Sequence, residues 1–98
     1  MKYRKLGRTG VEVSEVCLGT EGLGEKDAQT VKATFRLAVD SGINFIDCPA
    51  WWPEFQNAAG AALDGIRGKV MLSAHFGSTF RAPEKPAADL STYISSSY

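Results

Sequence analysis

The sequence predicts an α/β protein with a parallel sheet, and three observations carry that prediction. Apolar segments typical of buried strands recur around Leu18, Ile46 and Leu72, about 27 residues apart, the spacing of a βα repeat. Stretches with helical apolar spacing lie between them. The middle segment ends in Asp47 and is stopped by Pro49. A carboxylate therefore stands at the carboxyl end of a strand, where α/β proteins place their chemistry.

The amino-terminal part predicts a hairpin, a short strand and a glycine-rich loop. Tyr3 to Leu6 and Val11 to Ser14 flank a four-residue connection with glycine at both ends, which is typical of a β-hairpin. Val16 to Leu18 is a short apolar strand. In the loop from Gly19 to Gly24, three glycines let the backbone approach a ligand or a packed side chain. Its spacing differs from the dinucleotide fingerprint, so we do not assign it as a Rossmann loop.

The first helix is predicted from Asp27, which can cap it, to Ser41 and Gly42, which end it. We expect Lys32 and Arg36 to face water. One apolar stripe runs along the other side of this helix: Ala28, Val31, Phe35, Ala38 and Val39.

The second helix is predicted to open at Pro53 and Glu54 and to close at Gly65 and Gly68. Its stripe is rich in alanine, which favours close packing on a sheet: Phe55, Ala58, Ala59, Ala62, Leu63 and Ile66. A third strand follows from Lys69 to Gly77 and includes His75 near its end.

Composition and charge disfavour several classes of function. Of the 98 residues 44% are apolar, and eleven basic side chains balance eleven acidic ones. The short basic cluster near the amino terminus lacks aromatic partners, so we expect no nucleic-acid binding. Without a signal-peptide pattern or a membrane-length apolar run, we expect a cytoplasmic protein with no membrane partner.

Two cysteines are too few for a disulfide framework, so both are expected to be reduced thiols. Cys17 is interpreted as small core filler. Cys48 is either core filler or part of a site beside Asp47.

The domain prediction divides the chain into a folded part, residues 1–77, and an irregular or weakly helical tail, residues 78–98. The tail is rich in Ser, Ala and Pro, and Pro83 and Pro86 interrupt its start. Leu90, Tyr93 and Ile94 have the spacing of one amphipathic turn.

Asp47 and His75 are the candidate catalytic pair, because parallel strands bring their carboxyl ends to one edge of a sheet. A carboxylate there can orient an imidazole and raise its pKa, which makes a proton donor; the alternative is a structural histidine. A metal site built from Asp47, Cys48 and His75 is disfavoured, because neighbours on one strand point oppositely. Trp51 and Trp52 form either an apolar wall for a substrate or a cap on the sheet ends.

Four stretches together resemble the amino-terminal part of the aldo-keto reductase superfamily, over residues 2–77. They are the opening from Tyr3 to Ser14, Leu18-Gly19-Thr20, Gly42 to Asp47, and Gly60 to Leu63 before Lys69-Val70. The resemblance implies a (β/α)8 barrel, here partial, whose floor the hairpin covers. It also implies reduction of aldehydes and ketones with NADPH.

The resemblance implies roles for individual residues. Asp47 matches the family's catalytic acid, and Gly19 and Thr20, with Asp47, match the part that faces the cofactor. Trp52 stands where the family has its tyrosine, and an indole is too weak an acid to replace a phenol. His75 occupies the place of the family's lysine. This pattern resembles a divergent branch, some members of which carry a carboxy-terminal iron–sulfur segment whose cysteines are absent here.

The length of the chain, 98 residues, argues against activity, since a whole barrel needs about 250 residues. We therefore expect a fragment that is inactive alone, with a small carbonyl compound as the substrate of the intact enzyme. The alternative is a non-catalytic interaction module that self-associates through its open sheet edge.

Overall fold

The computed structural model describes residues 1–49 and 53–75, with His75 described at the backbone. The strands are β1 (Tyr3–Lys5), β2 (Glu12–Ser14), β3 (Leu18–Gly19), β4 (Phe45–Pro49) and β5 (Met71–His75), and the helices are α1 (Ala28–Asp40) and α2 (Pro53–Leu63). β1 and β2 form an antiparallel hairpin, and the other strands form a parallel sheet in the order β3-β4-β5. The α/β prediction is confirmed. Within the described ranges, no helix has the length and apolar character needed to cross a membrane.

The register of the sheet confirms the predicted strand equivalence. Leu18 pairs with Ile46, and Ile46 pairs with Leu72. One position further along, Asp47 lies between Gly19 and Ser73. The carboxyl ends of the three strands therefore meet at one edge of the sheet, as the candidate site requires.

The hydrophobic core lies on one face of this sheet, under both helices. Ile46 of β4 and Val31 and Phe35 of α1 are fully buried, and Leu18 and Leu72 pack against them. Buried residues of α2 complete the core: Phe55, Ala59, Ala62 and Leu63. The predicted stripe of this helix is thus confirmed.

Phe45, Asp47, Met71 and Ser73 alternate with the core residues along β4 and β5 and so lie on the other face, called here the open face. Phe45 and Met71 pair directly and are half-buried. Both α1 and α2 pack on the opposite, core face. The open face is therefore without a covering helix among the described residues.

Helix α1 begins where its capping residue predicts. The Asp27 carboxylate accepts hydrogen bonds from the Thr30 backbone N–H, at 2.8 Å, and from its hydroxyl, at 3.0 Å. The first bond satisfies one of the N–H groups that have no partner within the helix at its amino end. Both bonds lower the pKa of Asp27 below its ordinary value. Ala28 was expected in the apolar stripe but is exposed, since contact with the core starts one turn later, at Val31.

Arg36, which was predicted to face water, is only partly exposed. Its side chain is half-buried, and its guanidinium donates a hydrogen bond to the carbonyl oxygen of Asp64, just after α2. Carbonyls at a helix end lack partners within the helix, so this bond satisfies one of them while joining the two helices. Helix α2 itself ends at Leu63, before the predicted Gly65, and a 3₁₀ turn over Arg67–Lys69 leads into β5.

The hairpin is fixed to the end of the sheet where the strands begin. Asn44, just before β4, accepts from the Ser14 N–H at 2.7 Å and donates through Nδ2 to the Glu12 carbonyl at 2.9 Å. The Tyr3 hydroxyl donates to the Gly42 carbonyl at 2.7 Å. The hairpin thus lies opposite the edge that carries Asp47.

Two predictions about the segment before β3 are wrong. The strand starts only at Leu18, because the chain bends at Glu15 and Val16, where the Ser14 hydroxyl donates to the Val16 carbonyl at 2.6 Å. Val16 is 52% exposed. Cys17 is also exposed, so its interpretation as core filler is wrong. After β3, the predicted glycine loop contains a 3₁₀ turn over Glu21–Leu23.

Candidate functional site

Asp47 and Gly19 form the centre of the candidate site, at the carboxyl edge of the sheet. They are paired neighbours on adjacent parallel strands, and the Asp47 side chain is half-buried on the open face. Gly19 is exposed, and among the described residues no atom lies within 4 Å of where its Cβ would stand. A flat group can therefore approach the backbone of β3 beside a carboxylate. This opening is compatible with the nicotinamide ring of a dinucleotide.

Thr20 holds the end of β3 against β4. Its side chain is fully buried, and its hydroxyl donates to the Asp47 carbonyl oxygen at 2.7 Å. The Thr20 backbone N–H donates to the same oxygen at 3.2 Å. Two donors from one residue thus fix the peptide that carries the candidate acid. The contacts give Thr20 a positioning role, and a direct role toward a cofactor stays a prediction.

Cys17 is a neighbour of Asp47 that sequence reasoning did not include in the site. Partial burial raises the pKa of the Cys17 thiol, the nearby Asp47 carboxylate raises it further, and the Asp47 backbone N–H opposes both. The thiol is therefore protonated at neutral pH and is a weak nucleophile. The signal was available in the pairing of Leu18 with Ile46, which places the preceding residue on the same side as Asp47.

Cys48 lies on the core face, against the hydrophobic cluster. Burial raises the pKa of its thiol, the Thr20 hydroxyl lowers it, and the charge of Asp47 raises it. Of the two interpretations of Cys48, the structure favours core packing, because its side chain points away from the face of Asp47. Residues 1–49 and 53–75 contain no cluster of three or more His, Cys, Asp or Glu suited to a metal ion.

The backbone of His75 pairs with Pro49 on β4, two residues beyond the pairing of Asp47 with Ser73. Two residues span about 7 Å along a strand, so the two candidate catalytic positions share one edge of the sheet. The expected interaction of the His75 imidazole with Asp47 lies outside the described part of the chain and stays a prediction. Trp51 and Trp52, the expected substrate wall, also lie outside the described residues, as does the 78–98 tail.

Comparisons with known proteins agree with this geometry. No family model matches the chain. An uncharacterized oxidoreductase of Bacillus subtilis, YrpG, is 46% identical over 48 residues, which are 48% of this chain and 15% of that protein. A solved structure from Pseudomonas aeruginosa, assigned to the aldo-keto reductases, superposes with a TM-score of 0.68 at 32% identity, over 76% of this chain and 31% of that one.

A second solved structure is the holo form of an aldo-keto reductase from Bacillus halodurans. It superposes with a TM-score of 0.69 at 28% identity, covering 87% of this chain and 29% of that one. The chain thus spans less than a third of each of these proteins. Together the comparisons confirm its resemblance to the amino-terminal part of the aldo-keto reductase (β/α)8 barrel.

Proposed function

We propose that this chain, as an amino-terminal segment of aldo-keto reductase type, supplies the first three barrel strands of a cytoplasmic, NADPH-dependent carbonyl reductase. One observation carries the proposal: Asp47 lies on the open face at the carboxyl edge of the sheet, paired with an exposed Gly19 that leaves space beside it. In a (β/α)8 barrel the sheet face opposite the helices lines the interior, and chemistry occurs at the carboxyl edge.

Each residue of the rim has a distinct task in this proposal. A nicotinamide cofactor held at this rim would supply hydride for the carbonyl carbon of an aldehyde or ketone. Gly19 leaves room for the nicotinamide ring, and Thr20 keeps the Asp47 peptide in place through its two hydrogen bonds. The Asp47 carboxylate stabilises the protonated imidazole of His75, which gives its proton to the carbonyl oxygen. Trp52 belongs to the wall that contacts the substrate.

The described part supplies three parallel strands of the eight that a complete barrel contains. Loops from the remaining strands would have to complete the pocket for the cofactor and the substrate. We therefore propose that the chain binds NADPH weakly and does not turn over aldehydes alone.

A fluorescence titration with NADPH tests the proposal. We expect saturable binding at millimolar cofactor, weakened at least about tenfold in Asp47→Asn, which corresponds to about 1.4 kcal/mol of binding free energy. Asp40→Asn is the matched control, since it removes the same charge from an exposed position at the carboxyl end of α1. Absence of binding, or equal weakening by both variants, contradicts the proposed role of Asp47.

A second candidate, a non-catalytic interaction module, is favoured by the open face. Phe45 and Met71 form a paired apolar patch there, and the edge of β5 away from β4 has no strand partner among the described residues. Open edges and uncovered apolar faces promote association. Sedimentation equilibrium distinguishes the two functions: a stoichiometric oligomer without affinity for NADPH supports the module, and a monomer that binds NADPH contradicts it.

A further inference from the structure

The turn that follows α2 contains the one Asp-Gly step of the sequence, Asp64-Gly65. Helix α2 ends at Leu63, so both residues lie beyond its last residue, and both are exposed. Gly65 has φ +73°, the left-handed conformation with which glycine ends many helices. The Asp64 side chain and the nitrogen that follows it are therefore open to solvent and outside regular structure.

Hydrogen bonding leaves the two reactive groups of this step unengaged. Among the described residues, the Asp64 carboxylate has no hydrogen-bond or ion-pair partner, and the Gly65 N–H has no acceptor. Asp40, at the end of α1, differs, because the N–H of the next residue, Ser41, donates to the Leu37 carbonyl at 2.9 Å. Glycine also has no side chain that would hinder its nitrogen. The Gly65 nitrogen can therefore attack the Asp64 side chain.

The reaction open to this pair is closure of a succinimide ring. The Gly65 nitrogen forms a bond to Cγ of the protonated Asp64 side chain, while its hydrogen and the carboxyl OH leave together as water. Solvent water then adds to one of the two ring carbonyls, and the C–N bond at that carbonyl breaks. Opening at the side-chain carbonyl restores aspartate. Opening at the main-chain carbonyl leaves the chain running through Cβ and Cγ, which is isoaspartate, so water is the only other reactant.

Arg36 of α1 lies at the oxygen that decides between these products. Its side chain is half-buried, and its guanidinium donates a hydrogen bond to the main-chain carbonyl oxygen of Asp64. When water adds to that carbonyl, the oxygen takes up negative charge, which a cation already in place stabilises. In isoaspartate the same carbon belongs to a free carboxylate, so the hydrogen bond becomes an ion pair. Arg36 thus favours isoaspartate both in the opening step and in the product.

We propose that Asp64-Gly65 is a site of spontaneous isomerisation to isoaspartate and that Arg36 directs the opening of the ring to that product. The conversion adds one carbon to the main chain between α2 and β5 and turns a neutral contact between the two helices into a charged one. This inference does not depend on the proposed function, because it uses only the contacts of the turn.

Incubation of the full chain at neutral pH in water enriched in heavy oxygen tests the site itself. Each passage through the ring inserts one oxygen atom from the solvent, and mass spectrometry of the digested protein locates it and separates isoaspartate from aspartate. We expect isoaspartate to accumulate at Asp64 at least about tenfold faster than at Asp40, where the neighbouring N–H is hydrogen-bonded. No isoaspartate at Asp64, or equal rates at the two positions, would overturn the proposal.

Arg36→Gln tests the direction of ring opening. Lys32→Gln is its matched control, since it removes the same charge from an exposed position one turn earlier on α1. The readout is the ratio of labelled isoaspartate to labelled aspartate at Asp64, which does not depend on how fast the ring closes. We expect Arg36→Gln to lower this ratio at least about threefold and Lys32→Gln to leave it unchanged. An unchanged ratio in Arg36→Gln, or an equal fall in both variants, would overturn the proposal.

The native chain unfolded in urea gives a second measurement that needs no variant. Unfolding separates Arg36 from the turn, so the ratio should fall to the value of Arg36→Gln. A ratio equal to that of the folded native chain would overturn the role of Arg36, because the product would then be set by the Asp-Gly step alone.

Discussion

Thr20→Val removes the hydroxyl that fixes the peptide of the candidate acid while keeping the shape of the side chain. Thr20 is fully buried, and its hydroxyl lies 2.7 Å from the Asp47 carbonyl oxygen. That oxygen keeps one donor, the Thr20 N–H at 3.2 Å, so it is not left without a partner. The loss of a net hydrogen bond then costs about 1–2 kcal/mol. In a domain of this size we expect Tm to fall by about 5–10 °C.

Thermal unfolding followed by circular dichroism measures this change. Thr34→Val is the control, because Thr34 makes the same type of bond, to the Thr30 carbonyl at 2.8 Å, on an exposed stretch of α1. Water can replace that bond, and the control should stay within about 0.5 kcal/mol of the native protein. An equal loss in both variants, or none in Thr20→Val, would refute the reasoning.

Thr20→Val also has a chemical readout at Cys48. The Thr20 hydroxyl lowers the pKa of the Cys48 thiol, against the effects of burial and of Asp47. Its removal should move the onset of Cys48 modification by a disulfide reagent to higher pH, measured in a Cys17→Ser background. An unchanged pH profile would show that the hydroxyl does not reach the thiol.

Four further variants test the hairpin contacts, the start of α1 and the interior of α2. The pKa of Asp27 is lowered from 3.8, so its contribution to stability is complete above that pH and is lost as the pH falls through the folded-state value. The Tm difference between the native protein and Asp27→Ala should therefore shrink in acid, and a constant difference from neutral pH downward would contradict this. Asn44→Ala removes two side-chain hydrogen bonds to β2 and should cost about 2 kcal/mol in urea unfolding, whereas a loss below roughly 0.5 kcal/mol would mean that the hairpin is not held there. Gly42 has φ +90°, and an added Cβ would lie 3.0 Å from the Tyr3 hydroxyl oxygen, so Gly42→Ala should destabilise the protein by about 1–3 kcal/mol. Gly60→Ala, in a helix with open space, should instead be stabilising, and the same sign for both alanine variants would contradict this account.

The sheet register was predictable because each strand carries a distinct apolar segment at a regular spacing. Buried parallel strands need such segments, and the pairing of Leu18, Ile46 and Leu72 follows from them. The start of α1 was predictable for a local reason, since the Asp27 carboxylate meets N–H groups only three residues away. Both signals are properties of a short stretch of sequence.

Other features depend on contacts between distant parts of the chain. Arg36 has the helical position of an exposed residue, but Asp64, far along the sequence, offers it a carbonyl oxygen. The exposure of Cys17 depends on the bend after the hairpin and on the absence of a described helix over the open face. Periodicity shows that a strand has two faces, but it does not show which of them is covered.

Amide chemical-shift mapping with NADPH tests most directly whether the open face carries the cofactor site. The proposal predicts shifts that saturate with cofactor at the amides of Gly19, Asp47 and Ser73, which are neighbours across the three strands. The exposed face of α1, including Lys32, should show none. Shifts confined to the helices, or none at millimolar NADPH, would contradict a nicotinamide site at this edge of the sheet.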